Sequence, residues 1–153
     1  MARTGLRAAV GTKAPKIGTF IFEFAVPGIG QALGAAGAEF VVIDMEHSGF
    51  GFDTVRAAIK YIQAGNLPVI VRAPSKAYDH IARIMDIGAD GVMVPMVSSV
   101  EQARSVLDAV KYFPQGKRGV ALGLAMDRYS MSGASLAERF AAQNDRTIVM
   151  LQI

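Results

Sequence analysis

The chain has no cysteine. Disulfides, thiolate nucleophiles and structural zinc on sulfur are therefore excluded, and a cytoplasmic location is the expectation that fits. It has no apolar run of about 18 residues, so no transmembrane helix is expected. Met1 to Val10 carries two arginines but no apolar h-region, unlike a signal peptide. Charge of either sign is thin. Sixteen Lys and Arg stand against 13 Asp and Glu, and only Lys117 and Arg118 are adjacent. With no basic stripe interleaved with aromatics, neither a nucleic-acid nor a membrane partner is expected. The formal charge of +3 favours at most anionic small molecules. There is no P-loop, no GxSxG, and no GxGxxG opening a helix after the first strand-like stretch. The six lysines (Lys13, Lys16, Lys60, Lys76, Lys111 and Lys117) fall in expected loops, helix faces or a strand's approach, which disfavours imine chemistry.

What is present is apolar. At 52% hydrophobic and 19% charged residues the chain is globular, and 153 residues fit one domain with a substantial core. Residues 3–10 predict a short leading helix. Strands are expected over 18–24, 40–44, 68–71 (ending at Arg72), 91–94 and 147–153. Between them, helices are expected over 29–36, from an Asp53 N-cap to a Gly65 stop, over 78–87, from Ser98-Ser99 onward, and around 136–141. In the fourth helix Val100, Ala103, Leu107 and Val110 are expected inward. Residues 114–133 read as a long loop with five Gly or Pro, a length that is usually functional or mobile. Right-handed crossovers turn this βα repeat into a parallel sheet. The fold class is α/β, of the (β/α)8 TIM-barrel type. Such barrels take about 250 residues, so 1–153 reads as the N-terminal portion of a single barrel domain, apparently truncated after strand five. An open doubly wound sheet is the alternative.

The stretch Val41-Val42-Ile43-Asp44-Met45-Glu46-His47 carries the chemistry. It reads as a buried parallel strand running into two carboxylates and an imidazole, which is costly unless those groups are used or paired. Alternation sets Asp44 and Glu46 on one face, and His47 starts the loop. Ligands bind at that C-terminal edge in parallel α/β folds. A general base with supporting carboxylates is one reading, a structural cluster held by loop amides is another, and a metal site built from the three is a lesser option. Arg72, ending the adjacent strand, suits a carboxylate or a developing enolate oxygen, or an ion pair with Asp44 or Glu46. His80 reads as a helix-surface residue. Asp86 and Asp90 flank Gly88 near a helix C-terminus and read as solvated.

Five blocks in order, FVVIDMEHSGF, PVIVRAPS, IGADGVMVPMVSSVEQA, RGVA and VMLQI, resemble the class II pyruvate aldolases of the 4-hydroxy-2-oxoheptanedioate (2,4-dihydroxyhept-2-ene-1,7-dioate) aldolase family. The resemblance covers the chain from Gly18 onward. It implies a barrel dependent on a divalent metal (Mg, Mn or Co) that cleaves a 4-hydroxy-2-oxo acid to pyruvate and an aldehyde. It also implies a homo-oligomer, a trimer or hexamer. By matching motifs, His47 is the base, Arg72 the enolate stabiliser, Asp86 the aspartate that raises the histidine's basicity and Gln152 a substrate-binding glutamine. Asp44 is the nearer physical candidate for supporting His47, because the end of the third helix belongs at the opposite face of the barrel unless the contact crosses a subunit interface. The family's metal-binding Glu comes immediately after the position of Ile153 and its metal-binding Asp later, so no primary metal ligand is expected within this chain. Glu46 stands at most beside the metal. A half-barrel with two open edges is expected to pair with another copy, misfold or need the rest of its chain. Two other readings stand beside the aldolase: a catalytically inactive half-barrel acting as an oligomerising or partner-binding module, and a phosphate-binding barrel isomerase.

Overall fold

The computed structural model describes residues 7, 10, 13–130 and 132–153. Five strands, β1 (Gly18–Ile21), β2 (Phe40–Asp44), β3 (Val69–Arg72), β4 (Gly91–Val94) and β5 (Ile148–Leu151), form one sheet in sequential order, every neighbouring pair parallel. The central strands are continuous apolar runs because both of their faces are covered. The helices are α1 (Ile29–Ala35), α2 (Phe52–Ala64), α3 (Tyr78–Asp86), α4 (Val100–Val110) and α5 (Leu136–Arg146), with a 3₁₀ turn at Ala125–Asp127. Sequential order with crossovers of one hand sets the helices on a single face. A doubly wound sheet reverses its order and covers both. The core agrees. One large cluster joins Val41, Ile43, Val69, Val71, Val92 and Val94 to the buried faces of α2, α3 and α4. On the inner face Val42, Ile70 and Met93 form a small cluster of their own, flanked by Phe40 and Ile148. This singly wound sheet is the wall of a barrel-type fold, as the repeat implied.

Helices α1 and α2 touch backbone to backbone. A Cβ on Gly65 would stand 2.1 Å from the Gly30 carbonyl carbon, and one on Gly30 would stand 2.4 Å from the Tyr61 oxygen. Only hydrogen fits at either place.

Several sequence expectations are corrected. Arg7 and Val10 are helical, but most of the expected 3–10 helix lies outside the described residues. Asp53 sits in the first turn of α2 rather than capping it, and Gly51 takes the N-cap without a side-chain bond. A carboxylate two residues past the N-cap still faces the positive helix end. In α4 the buried side chains are Val106, Ala109 and Val110, whereas Val100 and Leu107 face out. Helix α5 buries Gln143 and Asn144, not the apolar stripe that marks it. Asn144 accepts from the Tyr112 N–H (2.8 Å) and donates to the Tyr112 carbonyl (2.9 Å), completing a backbone pair with a side chain. Lys111, buried, donates to the Asn144 and Thr147 carbonyls at the C-terminus of α5, where the helix dipole favours a cation. The 114–133 segment is fastened. The Gly119 N–H donates to the Tyr78 hydroxyl (2.7 Å), and Arg118 Nη1 donates to the Val110 carbonyl (3.0 Å).

Candidate active site

The strand register sets Asp44 beside Arg72. Their side chains meet on the inner face as a fork: Arg72 Nε donates to Asp44 Oδ1 (2.8 Å) and Nη2 to Oδ2 (2.5 Å). The Glu46 amide also donates to Asp44 Oδ1 (2.9 Å). Asp44 is wholly buried and the Arg72 side chain is 11% exposed. Burial alone would push the Asp44 carboxyl up. The hydrogen bonds from Arg72 and the loop amides, with the guanidinium charge, outweigh it and hold the carboxyl below its usual range. The same bond to Asp44, against the opposing effect of burial, raises the Arg72 guanidinium further. Ser48 braces the turn, its hydroxyl donating to the Asp44 carbonyl (2.5 Å) and accepting from the Phe50 N–H (3.1 Å).

Glu46 is the junction. One oxygen, Oε2, lies 3.4 Å from Arg72 Nη1 and 3.6 Å from His47 Nε2. His47 and Arg72 therefore share one side of the sheet and one edge, with a carboxylate between them. The His47 side chain is 66% exposed, open to an incoming molecule. The guanidinium also lies against an aromatic ring, its carbon 5.3 Å from the Phe20 centroid.

The sequence expectation that Asp44 supports His47 needs correction. Both Asp44 oxygens are engaged by Arg72, and the His47 ring meets Glu46 instead. Asp86 is not brought to the site within this chain. Asp90, four residues on, exchanges hydrogen bonds with Val69 at the start of β3. His47 lies beyond the other end, at least one strand length away, about 10 Å. Asp86 instead lies 3.7 Å from Arg118 Nε, and burial, partly offset by Arg118, raises its carboxyl. Asp90, expected to be solvated, closes the β3–β4 edge by accepting from the Val69 N–H (2.9 Å). Gln152 follows β5 on the inner-face register of Met93 and Met150, and its buried side-chain oxygen has no protein partner. His80 is held by Ser75 (2.9 Å).

Among the described residues no group of three or more His, Asp and Glu is placed to hold a metal ion. The donor chemistry explains this. Asp44 is saturated by a guanidinium, and Glu46 is shared between two cationic or protonatable groups. These residues do not fit a primary metal site on their own. Also among the described residues, no helix is long and apolar enough to cross a membrane.

Comparison with known proteins identifies what the chain is similar to. A family model described as HpcH/HpaI aldolase/citrate lyase matches residues 18–153. The chain is similar to a 2-dehydro-3,6-dideoxy-6-sulfogluconate aldolase of Pseudomonas putida, 36% identical over 113 residues, which are 74% of this chain and 44% of that protein. It is also similar to a hydroxypyruvate/pyruvate aldolase of Roseovarius nubinhibens, 30% identical over 130 residues, 85% of this chain and 49% of the relative. Among solved structures, an HpcH/HpaI aldolase from Desulfitobacterium hafniense DCB-2 superposes with a TM-score of 0.85 at 28% identity, over 97% of this chain and 55% of that one. The chain thus spans about half the length of the curated relatives it matches.

Proposed function

The chain belongs to the HpcH/HpaI aldolase/citrate lyase family, and we propose that it carries the base and the arginine of a carbon–carbon lyase that cleaves 4-hydroxy-2-oxo acids to pyruvate and an aldehyde. The observation that carries this reading is the shared Glu46 oxygen, which holds an imidazole and a guanidinium toward one space at the strand tips. Arg72 receives the 2-oxo oxygen. Asp44 occupies Nε and one Nη2 hydrogen and Glu46 faces Nη1, so guanidinium hydrogens remain for an incoming oxygen. His47 takes the proton of the C4 hydroxyl. The C3–C4 bond breaks, the aldehyde leaves, and the electron pair passes into an enolate whose oxygen Arg72 stabilises. C3 then takes a proton to give pyruvate. Gln152 lines the same face, and a divalent metal and a homo-oligomer belong to this reading through the sequence resemblance. In that assembly Asp86 supports His47 of a second copy, since within one chain the two lie toward opposite ends of β3. No step above runs through the metal, because the described residues do not form its site.

Pyruvate release by the protein carrying these residues, followed with added Mn, tests the assignment. His47→Ala is expected to lower the rate by about 10²–10⁴-fold while leaving stability within about 0.5 kcal/mol. An unchanged rate refutes the base. A second reading, a catalytically inactive half-barrel that binds a partner, is favoured by the apolar side chains exposed along both edge strands, Phe20 on β1 and Met150 and Leu151 on β5. Metal-dependent turnover by the 153-residue chain alone would count against it.

A further inference from the structure

We propose that Phe20 and Phe22 form an aryl-binding subsite beside Arg72, so that the substrate carries an aromatic group on C4. The inference rests on the reading of Arg72 as the grip on the 2-oxo group and adds to it the class of aldehyde released.

The register of β1 on β2 pairs Phe20 with Val42 and Ile21 with Ile43. The next residue, Phe22, is therefore level with Asp44, which pairs with Arg72. Alternation sends Ile21 into the helix-side core and turns Phe20 and Phe22 to the inner face with the charged pair. The two rings stack, with centroids 5.5 Å apart and planes 17° from parallel. Arg72 lies over Phe20, so the charged cluster and the aromatic pair form one continuous wall. Phe20 stands in the layer of Val42 and Ile70, which are buried, yet it stays partly open itself. Phe22 stands one layer above them, and Phe20 and Phe22 are 39% and 38% exposed. Arg72 lies against Phe20, so the open surface of the pair is next to the guanidinium.

The chemistry of the substrate matches this spacing. With the 2-oxo oxygen on Arg72, C4 lies two carbons further along, and its substituent falls within stacking range of rings that begin 5.3 Å from the guanidinium carbon. Offset stacking there adds affinity that an aliphatic or anionic tail does not gain. Among the described residues the cation against the Phe20–Phe22 wall is Arg72, whose partners are Asp44 and Glu46. The cleavage is balanced as before: the C3–C4 bond breaks, the C4 hydroxyl proton goes to the base, C3 takes a proton, and an aryl aldehyde leaves beside pyruvate.

The test is calorimetric binding of three unreactive 2-oxo acids to the 153-residue chain: pyruvate, 2-oxo-4-phenylbutanoate and 2-oxoadipate. The phenyl acid is expected to bind about three- to tenfold more tightly than pyruvate, and 2-oxoadipate no more tightly than pyruvate. Phe22→Ala should abolish the phenyl advantage and leave pyruvate affinity unchanged. Phe22→Leu, which keeps apolar bulk without a π-face, should lose most of it, with circular dichroism confirming that both variants are folded. Pyruvate binding without a phenyl advantage, or an advantage that survives Phe22→Ala, overturns the subsite alone. Failure of pyruvate to bind overturns the Arg72 grip, and the subsite with it.

Discussion

Asp44→Ala perturbs the group on which the geometry of the site depends. Asp44 is 0% exposed, takes two guanidinium hydrogens at 2.8 and 2.5 Å, and also receives the Glu46 amide at 2.9 Å. Its removal leaves a nearly buried cation facing a single carboxylate, Glu46, at 3.4 Å. Breaking a buried pair from one side costs about 3–5 kcal/mol. Glu46 retains part of the attraction, so the lower end, about 3 kcal/mol, is expected. Against a total stability of about 5–15 kcal/mol for a domain, this is a large share. Urea unfolding at pH 7, comparing midpoints at constant slope, reads it directly. Arg72→Met and the double variant complete a cycle, and a coupling of about 2 kcal/mol is expected. The pH dependence has a definite sign. Because the folded carboxyl lies below its unfolded value, its contribution is full above the unfolded range near pH 4 and is lost as pH falls through the folded range. The gap between wild type and Asp44→Ala should therefore shrink in acid. A cost under about 1 kcal/mol at pH 7, or a gap that widens in acid, would refute the argument.

The remaining predictions concern the frame of the site. Asn144→Ala strands the buried Tyr112 N–H and carbonyl and is expected to cost about 2–4 kcal/mol by urea unfolding. A cost near zero would mean that water replaces the amide. Gly65→Ala forces a methyl onto the backbone of α1 and should destabilise by about 1–3 kcal/mol; a stabilising effect, as expected for an unhindered helix end, would contradict the close contact. Asp86 has the opposite sign from Asp44. Its folded carboxyl is raised by burial, so its contribution is full below the unfolded range and is lost as pH rises through the folded one. Asp86→Asn should gain stability relative to wild type between about pH 4 and pH 7, and a relative loss over that range would show Arg118 to be the stronger influence.

The strands and their order were legible because a parallel strand covered on both faces has little choice but Val, Ile and Met, as in VVI, VIV and GVMV. The edge strands read less well. The outer ones were expected over 18–24 and 147–153, but pairing holds only Gly18–Ile21 and Ile148–Leu151, since each has a partner on one side. Helix faces were legible where the stripe is strong, as for Ile81, Ile84 and Met85 of α3. In α4 Val110 is buried and Ala103 packs against the core as expected, but Val106 and Ala109 are buried while Val100 and Leu107 face out, because docking against the sheet and its neighbours rather than periodicity alone selects the inward face. The polar burial of α5 carries no periodic signal. An asparagine that replaces a backbone pair looks in sequence like any other surface residue.

At the site, the sequence showed which residues share an edge but not how they divide the work. Alternation and strand order are enough to bring Asp44, Glu46 and Arg72 together, because a sequential sheet makes neighbours of successive strand ends. The expectation that Asp44 also serves His47 asked one carboxylate to satisfy a fork and an imidazole at once. A guanidinium with two aligned hydrogens takes both oxygens. The second carboxylate is then required, and the turn after Asp44 swings Glu46 Oε2 to within 3.4 Å of Arg72 and 3.6 Å of His47. Asp44 thereby fixes the arginine, and Glu46 links the arginine to the base. That division is written in three dimensions and not in spacing, so a strand ending in two carboxylates beside an arginine-tipped neighbour signals a site before it signals the role of either carboxylate.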